Sequence, residues 1–390
     1  MFFRTKRFWC VLFIPLSMLL THMAHNNPDA TERWFSMGIY RVLTETYGRV
    51  FGYLPFSVFQ FVIVVFIPTA MGYVILTMYR IISGRNWPRW LSREGSSGLN
   101  TAYLRWDSSN LRIKNVTYLV SNGAFLVGII WFMFTIGAGL NYARREFGET
   151  IGLEIRSSSV EELTALTEIL VAHANEYATQ VERNEYGHMI ISADSYFALS
   201  REARDIFREA GDQFPVLRGF VPRAKPIVYS QFMSRLRITG VYVPFTMEAH
   251  VNVHVPDYHI PATMLHELAH FRGIMREDEA NFIAWLLGYH SGNADFMYSG
   301  TMLALTYALN QLHRANPSEG QRVMEELSEY VWADFRANRE YWQQFEGRLA
   351  EISEELNDAY LRANRQEDGV YSYGRMVDLL LAYFRETITN

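Results

Sequence analysis

Residues 266–270 read His-Glu-Leu-Ala-His, a pattern that could hold a metal ion. Residues four apart on a helix share a face, so the imidazoles of His266 and His270 can reach one ion. Glu267 then lies beside the metal, where it could take a proton from an attacking water. Cys10, the single cysteine, lies in an early apolar run, so thiolate ligands are excluded from the rest of the chain. The pattern predicts one Zn²⁺ ion held by histidine and carboxylate, with Glu267 as the catalytic base.

A catalytic zinc site needs a third protein ligand besides His266 and His270. The position six residues after His270 is Arg276, which excludes a third histidine at the spacing used by metzincin peptidases. The residues that follow offer two glutamates, Glu277 and Glu279, as the third ligand. The spacing by itself leaves both open.

The order Glu-x-x-Ala-Asn from Glu277 to Asn281 resembles the glutamate element of gluzincin peptidases. The first glutamate of that element binds the metal, so the resemblance implies His266, His270 and Glu277 as the three ligands. Asn281 or Glu279 would then orient a ligand histidine through its second ring nitrogen.

Hydrolysis of an amide also requires a group that stabilises the developing oxyanion, often a Tyr or His. The candidates after the motif are Tyr298, Tyr307 and His290, although ordinary packing or helix capping is favoured for each. His250 and His254 share one face of a predicted strand and could line the cleft. A solvated strand face is the favoured interpretation of that pair.

Apolar residues are concentrated in the first 140 residues, where three membrane spans are predicted. The spans cover about residues 8–22, 56–79 and 116–140, and the last two are long enough for a hydrocarbon core of roughly 30 Å. The first is shorter and contains Pro15, but no clear cleavage site follows it, so it is interpreted as a retained anchor rather than a signal peptide. Residues 1–145 are therefore assigned to a membrane domain.

The distribution of basic residues predicts an orientation, because positively charged loops remain in the cytoplasm. The loop between the first and second predicted spans carries only Arg33, Arg41 and Arg49. The loop between the second and third carries Arg80, Arg85, Arg89, Arg93, Arg105, Arg112 and Lys114. The N-terminus and the second loop are thus predicted to be cytoplasmic, and the metal domain extracytoplasmic. Arg144 and Arg145, directly after the third span, argue mildly for the reverse.

Residues 146–390 are predicted to form one domain of mainly α-helical character. Short strands are predicted at 227–229, 240–245 and 250–255, where apolar and β-branched residues dominate or alternate with polar ones. The motif helix follows, and Pro261 suits its first turn. The predicted fold class is mainly α: three transmembrane helices, then a zincin-like α+β domain with a small sheet and a C-terminal helical bundle.

From the third predicted span onward, nearly the whole chain resembles a family of bacterial membrane proteins catalogued as domain of unknown function 3810. The segments that carry the resemblance are Gly139–Tyr142, Ile238–Tyr242, Pro244–Thr246, His266–His270, Arg276–Phe282, Tyr298–Gly300, Asn357–Leu361 and Tyr373–Leu380. The resemblance implies a membrane-anchored zinc peptidase and supplies no substrate.

The predicted function is that of a multi-pass, membrane-anchored zinc peptidase that cleaves peptide or amide bonds of proteins or peptides outside the cytoplasmic membrane. A net charge of −5 without a basic tail excludes a nucleic-acid partner. The alternative function is a non-catalytic membrane regulator or sensor that keeps the zinc-helix fold as a scaffold. Glu267 argues against the alternative, since a structural metal site needs no general base. The sequence gives no indication of the oligomeric state.

Overall fold

The computed structural model is mainly helical with one small sheet, as the sequence predicts. It describes residues 11–83, 111–364, 366 and 375–389. Some residues used in the sequence analysis lie outside that part of the chain. They are residues 8–10 of the first predicted span, most of the basic loop before Leu111, and Tyr373 and Gly374 of the family segments.

The chain forms two compact units, each built from two stretches of sequence. One unit comprises Met1–His22 and Phe59–Thr135, and the other comprises Met23–Val58 and Ile136–Asn390. The second unit contains the His-Glu-Leu-Ala-His motif and is called the motif unit below. It includes Met23–Val58, which the sequence analysis placed in the membrane domain.

Two helices in the described part of the chain are long and apolar enough to cross a membrane, Val58–Ser83 and Leu119–Gly137, the second being part of the helix Leu111–Gly137. Only 6% of the apolar window of Val58–Ser83 is buried in the protein, as expected for a helix surrounded by lipid. Pro68 lies inside that helix and is tolerated there, as in other membrane helices. The two helices indicate that the protein associates with a membrane.

The prediction of three spans is wrong for the residues described. The first apolar run forms the helix Phe13–Asn26, which has 14 residues. At 1.5 Å per residue such a helix is about 21 Å long, less than the roughly 30 Å of a hydrocarbon core. The polar residues Thr21, His22 and His25 occupy its last two turns, so the apolar part is shorter still.

Helices of eight or more residues form most of the motif unit after residue 136. They are Val160–Tyr177, Tyr196–Gln213, Ile260–Phe271, Glu277–Tyr289, Ala294–Ala315, Pro317–Met324, Glu329–Gln343, Arg348–Ala363 and Met376–Tyr383. Ile260–Phe271 is called the motif helix and Glu277–Tyr289 the glutamate helix. Shorter helices are Phe147–Thr150, Ser230–Arg235 and Arg385–Thr389. The core lies between the motif helix and its neighbours, where Trp285, Phe282, Phe296 and Leu166 are fully buried.

The sheet contains three strands, β1 (Lys225–Pro226), β2 (Gly240–Val243) and β3 (Glu248–Val251), in the order β1-β3-β2. β3 is central, parallel to β1 and antiparallel to β2, and every residue of it is buried. The strand predicted at 240–245 is confirmed as β2. The prediction at 227–229 is displaced, because Ile227 follows β1 and Val228 is exposed.

Consecutive short helices cover residues 28–53 and pack on the end of the motif helix; they are Pro28–Ala30, Thr31–Ile39, Tyr40–Leu43, Thr44–Gly48 and Arg49–Tyr53. Tyr40 is almost fully buried, and its hydroxyl lies 3.1 Å from Phe271 O and 3.0 Å from Tyr242 Oη. Arg272 donates to Thr44 Oγ1 at 3.1 Å. This early segment is therefore part of the structure that holds the motif in place.

Candidate metal centre

The motif helix is positioned by contacts at both of its ends. At its start, Ala262 N donates to Ser299 Oγ at 2.9 Å, which satisfies one of the N–H groups left free in a first turn. At its end, Gly273 has φ +82°, a left-handed conformation that favours glycine. The turn brings the Ile274 carbonyl back to the helix, where it accepts from His270 Nδ1 at 2.7 Å. This bond occupies Nδ1 and orients the ring, so Nε2 is the nitrogen of His270 that faces Glu277.

The three predicted ligands lie together. Glu277 is the first residue of the glutamate helix, and its two carboxylate oxygens lie 3.2 Å from His266 Nε2 and 3.5 Å from His270 Nε2. The ligand atoms of all three residues lie within 4.8 Å of one another. Two ligands of a tetrahedral zinc, each about 2.0 Å from the ion, would be roughly 3.3 Å apart. The donor types and their spacing therefore fit one zinc ion.

The electrostatics of the three residues also suit a cation. Burial would by itself lower the pKa of His270, but the Glu277 carboxylate outweighs it and raises the pKa to about 9. Burial acts to raise the pKa of Glu277, yet the two histidines hold that pKa well below its usual range. The cluster thus binds positive charge strongly, in the form of protons or of a metal ion that replaces them.

Glu267 is 3% exposed and lies against β2. A Cβ atom at Gly240 would overlap Glu267 Oε1 and would come within 2.7 Å of Thr263 Cγ2, so a larger residue in β2 would displace the carboxyl group. Glu267 Oε2 is buried without a hydrogen-bond partner among the described residues. Burial raises the pKa of Glu267 to about 7, although the neighbouring His266 and His270 act to lower it. A carboxyl group of that pKa can accept and release a proton near neutral pH.

The other acidic and amide residues of the glutamate helix have different partners. Glu279 is buried and accepts from Phe147 N at 2.5 Å. Asn281 Nδ2 lies 3.5 Å from Tyr307 Oη. The expectation that Asn281 or Glu279 orients a ligand histidine is not met at His270, where the Ile274 carbonyl accepts from Nδ1. The sequence could not predict this acceptor, because every residue has a backbone carbonyl.

Two of the three predicted oxyanion stabilisers lie in other interactions. Tyr298 donates to Asp334 Oδ2 at 2.5 Å in a buried network that also contains Arg183. His290 Nε2 lies 2.7 Å from Tyr383 Oη, near the far end of the glutamate helix. Both residues therefore have packing roles, which the sequence analysis favoured for them.

Tyrosines near Glu277 are the remaining candidates. Burial raises the pKa of Tyr307, and the negative charge of Glu277 adds to the shift. Burial also raises the pKa of Tyr360 to about 12, with a smaller contribution from Glu277. Tyr360 lies in the helix Arg348–Ala363, and its hydroxyl is 2.9 Å from Tyr142 Oη. Tyr360 was not predicted as a site residue, since it lies 83 positions after Glu277 in a helix with the pattern of an ordinary amphipathic one.

His250 and His254 do not share a strand face. His250 lies in β3, is buried, and its Nε2 is 2.7 Å from Ser57 Oγ. His254 lies beyond the strand, where Nδ1 is 2.9 Å from Tyr341 Oη. The predicted alternation at 250–255 fails because the strand ends at Val251.

The family signature covers most of the chain and both parts of the candidate centre. Residues 35–381 match the family described as "Protein of unknown function (DUF3810)". The chain belongs to this family. The match begins within the 28–53 segment and includes both histidines, both glutamates of the centre, and Tyr360. No curated protein and no solved structure matches the chain.

Proposed function

We propose that this protein is a membrane-anchored, zinc-dependent peptidase of gluzincin type. The observation that carries the proposal is the meeting of His266, His270 and Glu277 at distances suited to one ion, with the unpartnered carboxyl oxygen of Glu267 next to His266 on the motif helix. A scaffold without catalysis gives no reason to bury a carboxyl group that lacks a partner, since doing so costs on the order of 1–3 kcal/mol.

His266, His270 and Glu277 would hold the zinc ion, which when bound supplies a Lewis acid for water and for the substrate carbonyl. Glu267 takes a proton from the attacking water and passes it to the leaving nitrogen as the C–N bond breaks. Tyr360 or Tyr307 would donate a hydrogen bond to the carbonyl oxygen as negative charge develops there.

The position of β2 favours a peptide substrate. β2 is at one end of the sheet order, and Gly240 in this strand touches Glu267. An edge strand offers free N–H and C=O groups that an extended peptide can pair with. A peptide bound in this way would run past the general base.

The motif unit is proposed to lie outside the cytoplasm. Residues 23–58 and 136–390 share one compact unit, so the two candidate spans between them return the chain to the side from which it came. The loop between the spans carries Arg85, Arg89, Arg93 and Arg105, and such loops remain in the cytoplasm. Arg144 and Arg145, which argued for the reverse, are paired with Glu32 at 2.7 Å and Asp29 at 2.6 Å.

Metal analysis of the full chain in detergent tests the ligand set. About one zinc per chain is expected for the wild type, and its loss in His266→Ala and Glu277→Gln. Glu279→Gln is the matched control, because the amide oxygen can still accept from Phe147 N while the carboxylate is removed. Equal zinc in Glu277→Gln and wild type, or loss of zinc in Glu279→Gln alone, would overturn the assignment.

Digestion of a defined peptide mixture, read by mass spectrometry, separates the peptidase from the non-catalytic regulator or sensor. Glu267→Gln is expected to keep its zinc and to cleave about 10²–10⁴-fold more slowly than the wild type. If the wild type and Glu267→Gln cleaved the peptides at the same rate, the cleavage would not come from the proposed site. A zinc-loaded wild type that cleaves nothing would favour the regulator.

A further inference from the structure

One cavity in the motif unit is lined by arginines. It has a volume of about 540 Å³ and lies between the 28–53 segment and the loop that follows the helix Tyr196–Gln213. Its charged lining residues are Glu45, Arg49, Arg204, Arg208 and Arg223. A volume of this size is in the range of small-molecule sites.

The charges around the arginine cavity do not balance. Glu45 is paired with Arg49 and also accepts from Phe220 N at 2.5 Å, so both of its oxygens are engaged. Asp205 is shared by Arg204, at 2.8 Å, and Arg208, at 3.5 Å. Arg223 faces the Phe197 ring at 5.6 Å, and no carboxylate in the described residues lies within 4 Å of it.

Four guanidinium groups therefore face two carboxylates, an excess of two positive charges around one cavity. An anion of charge −1 or −2 would offset that excess. Guanidinium groups match the oxygens of a phosphate better than they match a halide, since each can donate two parallel hydrogen bonds.

Two glycines shape the cavity. A Cβ atom at Gly52 would lie 2.9 Å from Pro222 Cβ and 3.0 Å from the Phe220 ring. Gly219 has φ +132°, and a Cβ atom there would lie 2.6 Å from Glu45 Oε1. The 28–53 segment and the loop at 219–223 thus approach so closely that neither position has room for a side chain.

The cavity lies close in sequence to a candidate membrane helix. Tyr53 lines the cavity, is 69% exposed, and precedes Val58, the first residue of the helix Val58–Ser83, by five residues. Five residues span at most about 17 Å, which is less than the thickness of one bilayer leaflet with its headgroups. An exposed tyrosine at such a position is typical of the membrane–water interface.

We propose that the arginine cavity binds a phosphate group, and that this phosphate belongs to an anionic lipid headgroup. The proposal stands apart from the peptidase chemistry, because none of the residues that line the cavity lies in the candidate metal centre. A lipid in the cavity would hold the 28–53 segment against the loop at 219–223, and Arg272 connects this loop to the end of the motif helix.

The test uses the full chain in detergent, titrated with short-chain phosphatidylglycerol, with phosphatidylcholine of the same chains, and with inorganic phosphate. Bound lipid is counted by native mass spectrometry, and phosphate binding is measured by calorimetry. The test variant is Arg204→Gln/Arg223→Gln. The matched control is Arg314→Gln/Arg336→Gln, which removes two arginines of the motif unit that do not line the cavity.

We expect the wild type to bind phosphatidylglycerol more tightly than phosphatidylcholine. The affinity for phosphatidylglycerol should fall at least about tenfold in the test variant and stay unchanged in the control variant. Arginine-dependent binding of inorganic phosphate without a preference for phosphatidylglycerol would support the phosphate site and overturn the lipid source. Equal binding of all three ligands by the test variant and the wild type would overturn the proposal. Thermal unfolding of the test variant within about 3 °C of the wild type shows that the fold is kept.

Discussion

Gly240 illustrates how a residue without functional groups can determine the chemistry of its neighbour. The Glu267 carboxyl group occupies the space that a side chain at this position in β2 would fill. Glu267 is thereby held between the strand and its own helix, where its buried oxygen lacks a partner. The orientation of Glu267, the proposed base, therefore depends on the lack of a side chain at position 240.

Gly240→Ala is expected to lower peptide hydrolysis at least about tenfold and to leave the zinc content unchanged, because the atoms nearest to an added Cβ belong to Glu267 and Thr263. Gly72→Ala is the control, since a Cβ atom there meets nothing within 4 Å. Zinc content and cleavage rate are measured on the same preparations. An active Gly240→Ala variant would show that the base tolerates displacement.

Tyr360→Phe is expected to reduce kcat about 10- to 100-fold and to change KM and the zinc content little, because the lost hydrogen bond would act on the transition state. Tyr383→Phe, which breaks the bond to His290 away from the centre, is the control. An equal effect of the two substitutions, or a rise of KM alone, would exclude Tyr360 as an oxyanion donor.

The residues of the candidate site fall into two classes as far as the sequence is concerned. His266, Glu267 and His270 could be predicted because helical periodicity alone brings them together. Gly240 and Tyr360 could not, since their contacts depend on packing between segments that are distant in the chain. A single sequence carries no periodic signal for such contacts.

At the scale of elements, the turn after the motif helix connects fold and site. Gly273 has a positive φ, and its neighbours Tyr40 and Asn141 would lie 3.0 Å and 3.2 Å from an added Cβ atom. The same turn supplies the Ile274 carbonyl that orients His270. A substitution in the turn should therefore also weaken zinc binding.

Gly273→Ala is expected to destabilise the protein by about 2–3 kcal/mol, from backbone strain and crowding together, and to weaken zinc binding about tenfold. Gly152→Ala separates the two causes, because Gly152 has φ +79° with nothing within 4 Å of an added Cβ atom. Its expected cost is about 1–2 kcal/mol without an effect on zinc. Denaturant unfolding and a competitive zinc chelator give the two quantities.

Elements with a local signal were predicted well. β2 and the motif helix each carry their own pattern, and Pro261 marks the first turn of the motif helix. The helices over 28–53 were not predicted. Tyr40 and Thr44 are buried there, and their contacts are with Tyr242, Phe271 and Arg272, which follow far later in the chain.

At the scale of the whole molecule, the side of the membrane can be tested with single cysteines in a Cys10→Ser background. Glu355→Cys, at an exposed position of the motif unit, should react with an impermeant maleimide in intact spheroplasts. Ser97→Cys, in the basic loop, should react only after permeabilisation. The opposite labelling pattern would place the motif unit in the cytoplasm.

A fragment of residues 146–390 is expected to aggregate or to unfold at least about 5–10 °C below the full chain, because Phe271, Tyr242 and Arg272 lose the partners that 28–53 provides. A chain in which a flexible linker replaces residues 59–135 keeps both parts of the motif unit. It should unfold near the temperature of the full chain. Size-exclusion chromatography and thermal unfolding compare the two, and a stable 146–390 fragment would contradict the expectation.

Because the motif unit is built from two stretches of sequence, its two parts are synthesised at different times. Residues 28–53 leave the ribosome before the candidate spans, whereas the end of the motif helix follows roughly 200 residues later. At a synthesis rate of 5–20 residues per second, about 10–40 s pass between the synthesis of residues 28–53 and that of the end of the motif helix. During that interval Tyr40 and its neighbours are exposed, so a chaperone that shields them should raise the yield of folded protein.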